Sequence, residues 1–502
     1  MSQSPVIIGV GEIRQKNFTL ENTLEPAELI LSAIRDAAKD TTVDVINHVD
    51  SISVVPPWSW TYDDLPKLLA QRLGVAPSHL ELSGHGGHTP ALLCNGAAAR
   101  VAAGGAKMAV VTGGEALASS GRLPPPRWTE MSPGAKLYGP SDPALLNGPG
   151  ALHSIGMPIQ VYPLYENAYR KHYQQTFHEN HHESAALYAD FDKVACQHPN
   201  SWRAGETPRD LDAIMTITKQ NRMICTPYPL LMNAFNGVNL AAACIITTVE
   251  YATKLKVPQD KWVYITGGAG SNDSSHFWER SNYFSSPAIE YSIDKALESA
   301  ALTKNEIDCF DFYSCFPIVP KLACKHVGLN VQEPNKPISL LGGLTSFGGA
   351  GNNYSLHAIA EMARVIRSRK HQNGLVLANG GVLSWQHALC LSVQPRRDSS
   401  LYQKKDILDN GNVSQGPAFT AKAQGEAFIE TYTVDYDRKG PKMGHIVGRL
   451  VENGHRFIAN HGDEHTLVAL ASTDGEPIGM KGRAVVAADG RNLFILAPSA
   501  KL

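Results

Sequence analysis

The sequence predicts a layered α/β protein with a small β-barrel-like domain at its C-terminal end. Two observations predict the α/β part: short apolar strands alternate with amphipathic helices, and one strand–helix unit occurs twice. A third observation predicts the barrel, because after residue 418 the pattern changes to short alternating stretches. With 502 residues the chain is long enough for several domains with cores of their own.

The first elements follow from apolar periodicity. The compact apolar run Val6–Val10 predicts a buried strand, and Ser51–Val55 and Met108–Thr112 are strand-like in the same way. From Glu25 to Ala38 the apolar residues recur at helical spacing. The segment Pro90–Ala103 is rich in alanine, which predicts a helix that is buried on several sides. Strands and helices in this order favour a largely parallel sheet covered by helices.

Two segments of the first half have counterparts in the second half. EPAELILSAIRDA, from Glu25, resembles SPAIEYSIDKALESA, from Ser286. The stretch that begins GGHTPALLCNGAAARVAAGG, from Gly86, parallels the one that begins FGGAGNNYSLHAIAEMARVI, from Phe347. Because the two pairs occur in the same order, they indicate a duplicated α/β unit.

These patterns divide the chain into four parts. Residues 1–265 form the first half, with an inserted lobe at about 119–222, and residues 266–395 form the second half. The polar stretch 396–417 is predicted to be a linker, and 418–502 an appended β domain. Within that domain AFIETYTVDY, HIVGRLV, HTLVALA and NLFILA are all interpreted as strand-like segments.

Composition excludes several classes of function. The chain has 45 Lys+Arg against 47 Asp+Glu, a net charge of −2, which argues against a nucleic-acid-binding protein. No apolar run is long enough for a membrane span. The eight cysteines are scattered without a CxxC pair, which suits reduced thiols in an intracellular protein.

Two local patterns suggest ligand sites at first sight. His172, His178, His181 and His182 lie close in sequence, but no carboxylate or cysteine completes a metal-ligand spacing, so we expect a solvated polar face and no metal. The glycine-rich run GGAGSN, from Gly267, lacks a following GK[ST], which excludes a nucleotide-binding P-loop.

The duplicated unit, the GGE at Gly113–Glu115 and the NGVNLAAA at Asn236–Ala243 resemble the thiolase superfamily. The resemblance extends to sterol-carrier-protein-2-type thiolases and to thiolase-like relatives with an additional C-terminal domain. It covers about residues 5–395 and implies a thiolase-like αβαβα arrangement. It also implies acyl transfer from a coenzyme A thioester, which is a substrate, with no further cofactor. A homodimer is the expected oligomeric state.

The resemblance also shows where this chain departs from the family pattern. The nucleophilic cysteine of thiolases falls on Gly87, and Cys94 lies two helical turns further along, where we expect it to pack in the core. The family's Gly-His-Pro loop appears as Gly348-Gly349-Ala350, so its histidine is replaced by Gly349. The His-Asp-Cys-Phe motif appears as Tyr313-Ser314-Cys315-Phe316 and keeps only its cysteine and phenylalanine.

Cys315 is therefore the strongest reactive candidate, either as nucleophile or as acid/base, although a buried structural thiol is the alternative. His387 and His357 are the candidate bases, and Asn379 is a candidate hydrogen-bond donor. Gly87 and Gly349 open two helices, so their backbone N–H groups are candidate oxyanion donors, unless these glycines only permit tight turns.

The sequence thus favours an acyl-CoA-dependent acyltransferase that uses Cys315 and an unknown acceptor. The alternative is a non-catalytic acyl-CoA-binding protein of the same fold. The last residues, Ala500-Lys501-Leu502, resemble a peroxisomal address, which predicts a peroxisomal protein in a eukaryote and a cytoplasmic one otherwise.

Overall fold

The structure, a computed structural model, describes residues 3–120, 148–397, 402, 408–409 and 416–497. The Ala500–Leu502 address and most of the predicted linker lie outside the described residues. The strands are β1 (Pro5–Arg14), β2 (Ser51–Val55), β3 (His79–Leu82), β4 (Met108–Ala116), β5 (Met223–Cys225), β6 (Tyr228–Pro229), β7 (Asn239–Thr248), β8 (Val263–Asn272), β9 (Cys309–Phe312), β10 (Asn373–Gly380), β11 (Trp385–Ser392), β12 (Leu408–Asp409), β13 (Gly425–Asp437), β14 (Gly440–Leu450), β15 (Arg456–His461), β16 (Lys481–Val486) and β17 (Asn492–Leu496). The helices are α1 (Pro26–Asp40), α2 (Leu65–Leu73), α3 (Thr89–Ala102), α4 (Leu117–Ser120), α5 (Pro149–Leu152), α6 (Pro158–His172), α7 (Phe177–Gln197), α8 (Leu211–Met215), α9 (Val249–Lys254), α10 (Pro287–Ala300), α11 (Ile318–Val327), α12 (Tyr354–Arg367) and α13 (Glu464–Ala471).

One large sheet joins the two halves of the thiolase-like part. Its strand order is β3-β2-β4-β7-β1-β8-β11-β10-β9, and β12 pairs with β8. Helices α3 and α12 pack against strands of both halves and form the central layer. Helices α1 and α10 pack on one half each, α1 on β1 and β7 and α10 on β8 and β11. This is the duplicated, layered α/β fold that the sequence predicts, with α1 matching α10 and α3 matching α12. The prediction of a largely parallel sheet is wrong, because the central pairs β4–β7, β7–β1, β1–β8, β8–β11 and β11–β10 are all antiparallel and only outer pairs such as β2–β4 and β9–β10 are parallel.

Small residues let the central helix approach the strands closely. Helix α3 buries Ala91, Ala97 and Ala98, and Gly268 of β8 lies directly against Asn95, because an added Cβ there would be 2.8 Å from the Asn95 amide carbon. A larger side chain on either surface would push the layers apart.

The C-terminal domain is a closed five-stranded barrel. Its strands follow the order β14-β15-β17-β16-β13, and β13 pairs with β14 to close the ring. The short β5–β6 hairpin, which directly follows the inserted lobe, extends this sheet through the pair Cys225 and Asp435. The barrel is thus joined to this hairpin by backbone pairing, and to the lobe by side-chain contacts such as that of Asn167 with the Tyr432 carbonyl.

The prediction of a strand at HTLVALA is wrong, because these residues form most of helix α13. The Asp463 side chain caps the helix by accepting a hydrogen bond from the Thr466 N–H. The buried residues Leu467 and Leu470 are three positions apart, which is the spacing of one helix face. A short apolar run of this length does not by itself distinguish a strand from a helix.

No helix in the described part of the chain is long and apolar enough to cross a membrane.

Candidate functional site

Three sequence-predicted residues meet where strands of the second half end. Cys315 lies between β9 and α11, Asn379 lies near the end of β10, and Gly87 precedes helix α3. The Asn379 Nδ2 is 3.7 Å from the Cys315 Sγ. A Cβ atom added to Gly87 would lie 2.5 Å from the Asn379 carbonyl oxygen. The structure therefore brings Cys315, Asn379 and the start of α3 together.

Cys315 differs from the other cysteines in its exposure. All eight lie in the described residues, and Cys315 is half-buried whereas the other seven are buried. Desolvation raises the pKa of the Cys315 thiol to about 12, although hydrogen bonds from Tyr162, the local backbone and Asn379 act in the opposite direction. The thiol is therefore protonated at neutral pH but remains within reach of solvent or a ligand.

Tyr162 is a site residue that the sequence analysis missed. Its hydroxyl accepts hydrogen bonds from the Asn379 Nδ2 at 2.7 Å and from the Leu383 N–H at 3.2 Å, and it interacts with the Cys315 thiol. Its ring stacks on Phe316 with centroids 4.7 Å apart. Tyr162 lies on α6 in the inserted lobe, more than 150 residues before Cys315, and no motif marks it.

Tyr313 occupies the space beside Gly87. A Cβ added to Gly87 would lie 2.5 Å from the Tyr313 hydroxyl oxygen, and Tyr313 is itself buried. By the sequence resemblance, Tyr313 is expected at the position of the histidine in the family motif and Gly87 at that of the nucleophilic cysteine. The two departures from the family pattern therefore fit each other sterically.

We expect Gly87→Ala to destabilise the protein by about 1–3 kcal/mol because the new methyl group meets the Tyr313 hydroxyl and a backbone oxygen. Adding Tyr313→Phe should recover part of this loss. The matched control is Gly96→Ala in helix α3, which follows Gly87; nothing lies within 4 Å of the added Cβ there, and a gain of about 0.5–1 kcal/mol is expected. Equal effects of Gly87→Ala with and without Tyr313→Phe, measured by denaturant unfolding, would contradict the steric explanation.

The two predicted backbone oxyanion donors, the N–H groups of Gly87 and Gly349, have different surroundings. The Gly349 N–H donates to the Phe235 carbonyl at 2.8 Å, so it is already used inside the protein and the prediction for Gly349 is wrong in this structure. The Gly87 nitrogen faces Gly380, where an added Cβ would lie 3.2 Å away. A side chain at residue 380 would crowd the Gly87 nitrogen, and the buried His88 Nδ1 lies 2.6 Å from that added Cβ position.

The structure places the two candidate bases away from Cys315. Gln386 and His387 are consecutive in β11, so their side chains point to opposite faces of the strand. The Gln386 Nε2 donates to the Asn379 Oδ1 at 2.6 Å, whereas the His387 Nε2 is 3.0 Å from the Asn95 Nδ2 on α3. Cys315 therefore lies on the side of strand β11 that carries Gln386, whereas the His387 side chain lies on the opposite side of this strand.

His357 belongs to a separate buried ionic cluster. Its Nδ1 is 2.5 Å from Glu12 Oε1, and Arg364 contacts the other carboxylate oxygen of Glu12. Burial by itself would raise the pKa of Glu12, but His357 and Arg364 outweigh it and lower that pKa to about 2. His357 therefore binds a core carboxylate between β1 and α12, and its role as a catalytic base stays a prediction without a contact to Cys315.

The remaining candidates from the sequence analysis include His172, His181 and Cys94, which contact other groups of the protein. His172 stacks on Phe284 with centroids 3.8 Å apart, and His181 is 2.9 Å from the Met215 carbonyl oxygen. Within the described residues no group of three His, Cys, Asp or Glu side chains could hold a metal ion. Cys94 is fully buried in α3, where the neighbouring Cys244 and burial raise its pKa.

Asp311 is a buried carboxyl group on β9, four residues before Cys315. Burial raises its pKa to about 6, against hydrogen bonds from the Leu340 and Leu341 N–H groups and from Ser339. The folded protein therefore binds a proton more tightly than the unfolded chain does, for which the reference pKa is 3.8.

Stability contributed by this proton is present below about pH 4 and is lost as pH rises toward 6, by roughly 3 kcal/mol. We expect Asp311→Asn to flatten this part of the stability curve, since asparagine stays neutral and can still accept the two backbone hydrogen bonds. Urea unfolding of both proteins at pH 4, 5, 6 and 7 measures the effect. Parallel curves would show that Asp311 does not titrate in this range.

Comparisons with known proteins agree with the fold and the barrel. Residues 412–491 match the family model described as the thiolase-like protein type 1 additional C-terminal domain. The crystal structure of a monomeric SCP2-thiolase like protein type 1 (STLP1) from Mycobacterium smegmatis is 31% identical, with a TM-score of 0.84. That match covers 99% of this chain and 100% of the other. A comparison with curated proteins finds no match.

A second solved structure shares the fold at lower identity. The structure titled Ltp2-ChsH2(DUF35) aldolase is 19% identical with a TM-score of 0.59, and the match covers 78% of this chain and 98% of that chain. The homodimer expected from the family resemblance has no support from STLP1, which is described as monomeric. The identity and coverage of the STLP1 match, together with the barrel, show that this chain belongs to the SCP2-thiolase-like protein type 1 family.

Proposed function

We propose that this protein binds an acyl-CoA thioester and that Cys315 acts on it as a proton donor. The observation that carries the proposal is a half-buried thiol, protonated at neutral pH, held by Tyr162 and Asn379 beside the start of α3. A thiolate attacks thioesters far better than a thiol does. A protonated thiol has instead a proton to give.

The proposed step is the protonation of an enolate. When a bond to the carbon next to the thioester carbonyl breaks, its electron pair remains as an enolate, and that carbon takes the proton from the Cys315 Sγ. The sulfur is left as a thiolate, which accepts a hydrogen bond from the Asn379 amide and a second one from the Tyr162 hydroxyl once this hydroxyl turns its proton from the Gly381 carbonyl to the sulfur. Because Cys315 is half-buried, solvent can return the proton.

The enolate oxygen needs a hydrogen-bond donor. We assign this role to the Gly87 N–H just before α3, because Gly87 lies next to Asn379, whose amide contacts the Cys315 thiol. The residues that would carry the step are therefore Cys315 as acid, Tyr162 and Asn379 as stabilisers of its thiolate, and Gly87 as the oxyanion donor.

The second structural relative suggests a substrate class. It is named an aldolase, which is an enzyme class that breaks a carbon–carbon bond. Aldol-type cleavage of a 3-hydroxyacyl-CoA breaks the bond between C2 and C3. The 3-hydroxyl group loses its proton to water as C3 becomes the carbonyl carbon of an aldehyde or ketone, and the electron pair of the broken bond stays on the thioester part as an enolate of the kind that Cys315 is placed to protonate. This class is therefore the first to test, and the length of the acyl chain is left open.

Two other functions are candidates. Acyl transfer through Cys315 as nucleophile, which the sequence favours, needs a base to remove the thiol proton, whereas His387 and His357 contact Asn95 and Glu12. Acyl-CoA binding without catalysis is favoured by one specific observation: Tyr313 fills the space beside Gly87, at the position of the family's nucleophile.

The experiment is incubation of the protein with 3-hydroxyacyl-CoA thioesters in D₂O, followed by mass spectrometry of the products and of the intact protein. We expect a shortened acyl-CoA with one deuterium at the carbon next to the carbonyl, and no acyl adduct on the protein. An adduct that disappears in Cys315→Ala would establish acyl transfer instead. Saturable binding without any product would favour the non-catalytic protein.

A further inference from the structure

A buried arginine connects the C-terminal barrel with the thiolase-like part. Arg456, on β15, is fully buried and donates hydrogen bonds to both carboxylate oxygens of Glu430 at 2.8 and 2.5 Å. Its Nη1 also donates to the backbone carbonyls of Trp278, at 3.0 Å, and of Arg280. The barrel therefore holds the backbone that precedes α10 by hydrogen bonds that are shielded from water.

Arg280 continues this connection toward the site. Its guanidinium group is buried, pairs with Asp273 at 3.2 Å, and donates to three groups of the turn between β10 and β11. These acceptors are the Leu383 carbonyl at 3.2 Å, the Val382 carbonyl at 3.3 Å and the Ser384 hydroxyl at 3.1 Å.

The turn has a backbone conformation that needs support. Leu383 has a φ of 62°, which is the left-handed region that a leucine rarely adopts. In this conformation the Leu383 N–H donates to the Tyr162 hydroxyl at 3.2 Å, and the Tyr162 hydroxyl donates its proton to the Gly381 carbonyl oxygen at 3.2 Å. The turn that Arg280 holds is therefore the turn that receives the Tyr162 hydroxyl.

The barrel also holds the helix on which Tyr162 lies. The Asn167 Nδ2 of α6 donates to the Tyr432 carbonyl of β13 at 2.9 Å, and the Thr431 hydroxyl donates to the Leu164 carbonyl at 2.6 Å. Arg170 contacts the Tyr432 hydroxyl at 2.9 Å. Both the helix that carries Tyr162 and the turn that binds its hydroxyl are thus fixed from the barrel side.

We propose that Arg456 and Arg280 are positioning residues through which the appended barrel holds Tyr162 against Cys315. This inference deepens the proposed function. It rests on that function only for the chemical role of Cys315 toward a substrate. The positioning itself concerns the reactivity of one thiol, which is measurable without a substrate.

The test is the rate of alkylation of Cys315 by iodoacetamide at pH 9, with the site of modification identified by mass spectrometry. Tyr162 lowers the pKa of the Cys315 thiol and thereby favours the thiolate, so Arg280→Lys and Arg456→Lys should slow alkylation by about tenfold. Tyr162→Phe should slow it to a similar extent. In the double variant of Arg280→Lys with Tyr162→Phe, no further slowing is expected, since both changes remove the same contact.

The matched control is Arg449→Lys in the barrel. Arg449 also lies near Glu430, at 3.8 Å, but is partly exposed, and its replacement should leave the alkylation rate unchanged. Thermal unfolding confirms that each variant is folded. An unchanged rate in Arg280→Lys, a faster rate, or slowing that adds to that of Tyr162→Phe would overturn the proposal. These outcomes are independent of whether a 3-hydroxyacyl-CoA is cleaved.

Discussion

Replacing Cys315 by alanine is expected to lower the rate of product formation from a 3-hydroxyacyl-CoA by roughly 10²–10⁴-fold, the usual contribution of a positioned acid. In the proposed step the Cys315 thiol gives its proton to the carbon atom of the enolate, and alanine has no proton to give there. Cys315→Ser should give little recovery, because a hydroxyl group is a weaker acid than a thiol. The rate is measured from the deuterium-labelled product.

The control is Cys324→Ala, which removes a buried thiol from α11, the helix that follows Cys315. This variant should keep the rate, although it should lose some stability because a small cavity forms. A Cys315→Ala protein that is folded and keeps its full rate would exclude Cys315 from the chemistry.

The second large effect concerns stability. Glu12→Gln is expected to lower the free energy of unfolding by about 3–5 kcal/mol, because it removes one partner of a buried ionic cluster and leaves His357 and Arg364 without their shared carboxylate. Urea unfolding at pH 7 measures the loss. The control is Glu298→Gln, whose carboxylate pairs with Lys295 on the surface and should contribute less than about 1 kcal/mol.

The same carboxylate predicts a pH dependence. Its pKa is about 2 in the folded protein against a reference value of 4.5, so its contribution is present above about pH 4.5 and is lost as the pH falls toward 2. The opposite direction holds for Asp311, whose contribution is lost as the pH rises. A Glu12→Gln protein as stable as the wild type at pH 7 would show that the cluster is not a net source of stability.

Much of the fold could be predicted from the sequence because each repeated unit is a continuous stretch of the chain. Two similar segments form helices α1 and α10, and the small residues of α3 indicate a helix that is buried on both sides. Helix α13 could not be distinguished from a strand, because its apolar run is short and its Asp463 cap is a single residue. The packing of this segment in the barrel determines that it is a helix and not a strand.

The site was only partly predictable. Cys315 and Gly87 lie in loops beside a strand end and a helix start, and Asn379 lies near the end of strand β10, which are places where the alternation of elements already puts functional groups. Tyr162 comes from a helix in the inserted lobe and reaches the site only through tertiary packing. The two histidines were predicted from their place in the sequence, but the alternation of side chains in β11 turns His387 toward α3, and Glu12 binds His357.

The most direct test of the central claim is the pH dependence of Cys315 alkylation in the unmodified protein. If Cys315 carries its proton at neutral pH, the rate of carboxamidomethylation at this residue should still be rising at pH 10, in line with a thiol pKa of about 12. A rate that levels off below pH 8 would contradict the account, because it would show a thiolate at neutral pH and therefore a nucleophile in place of a proton donor.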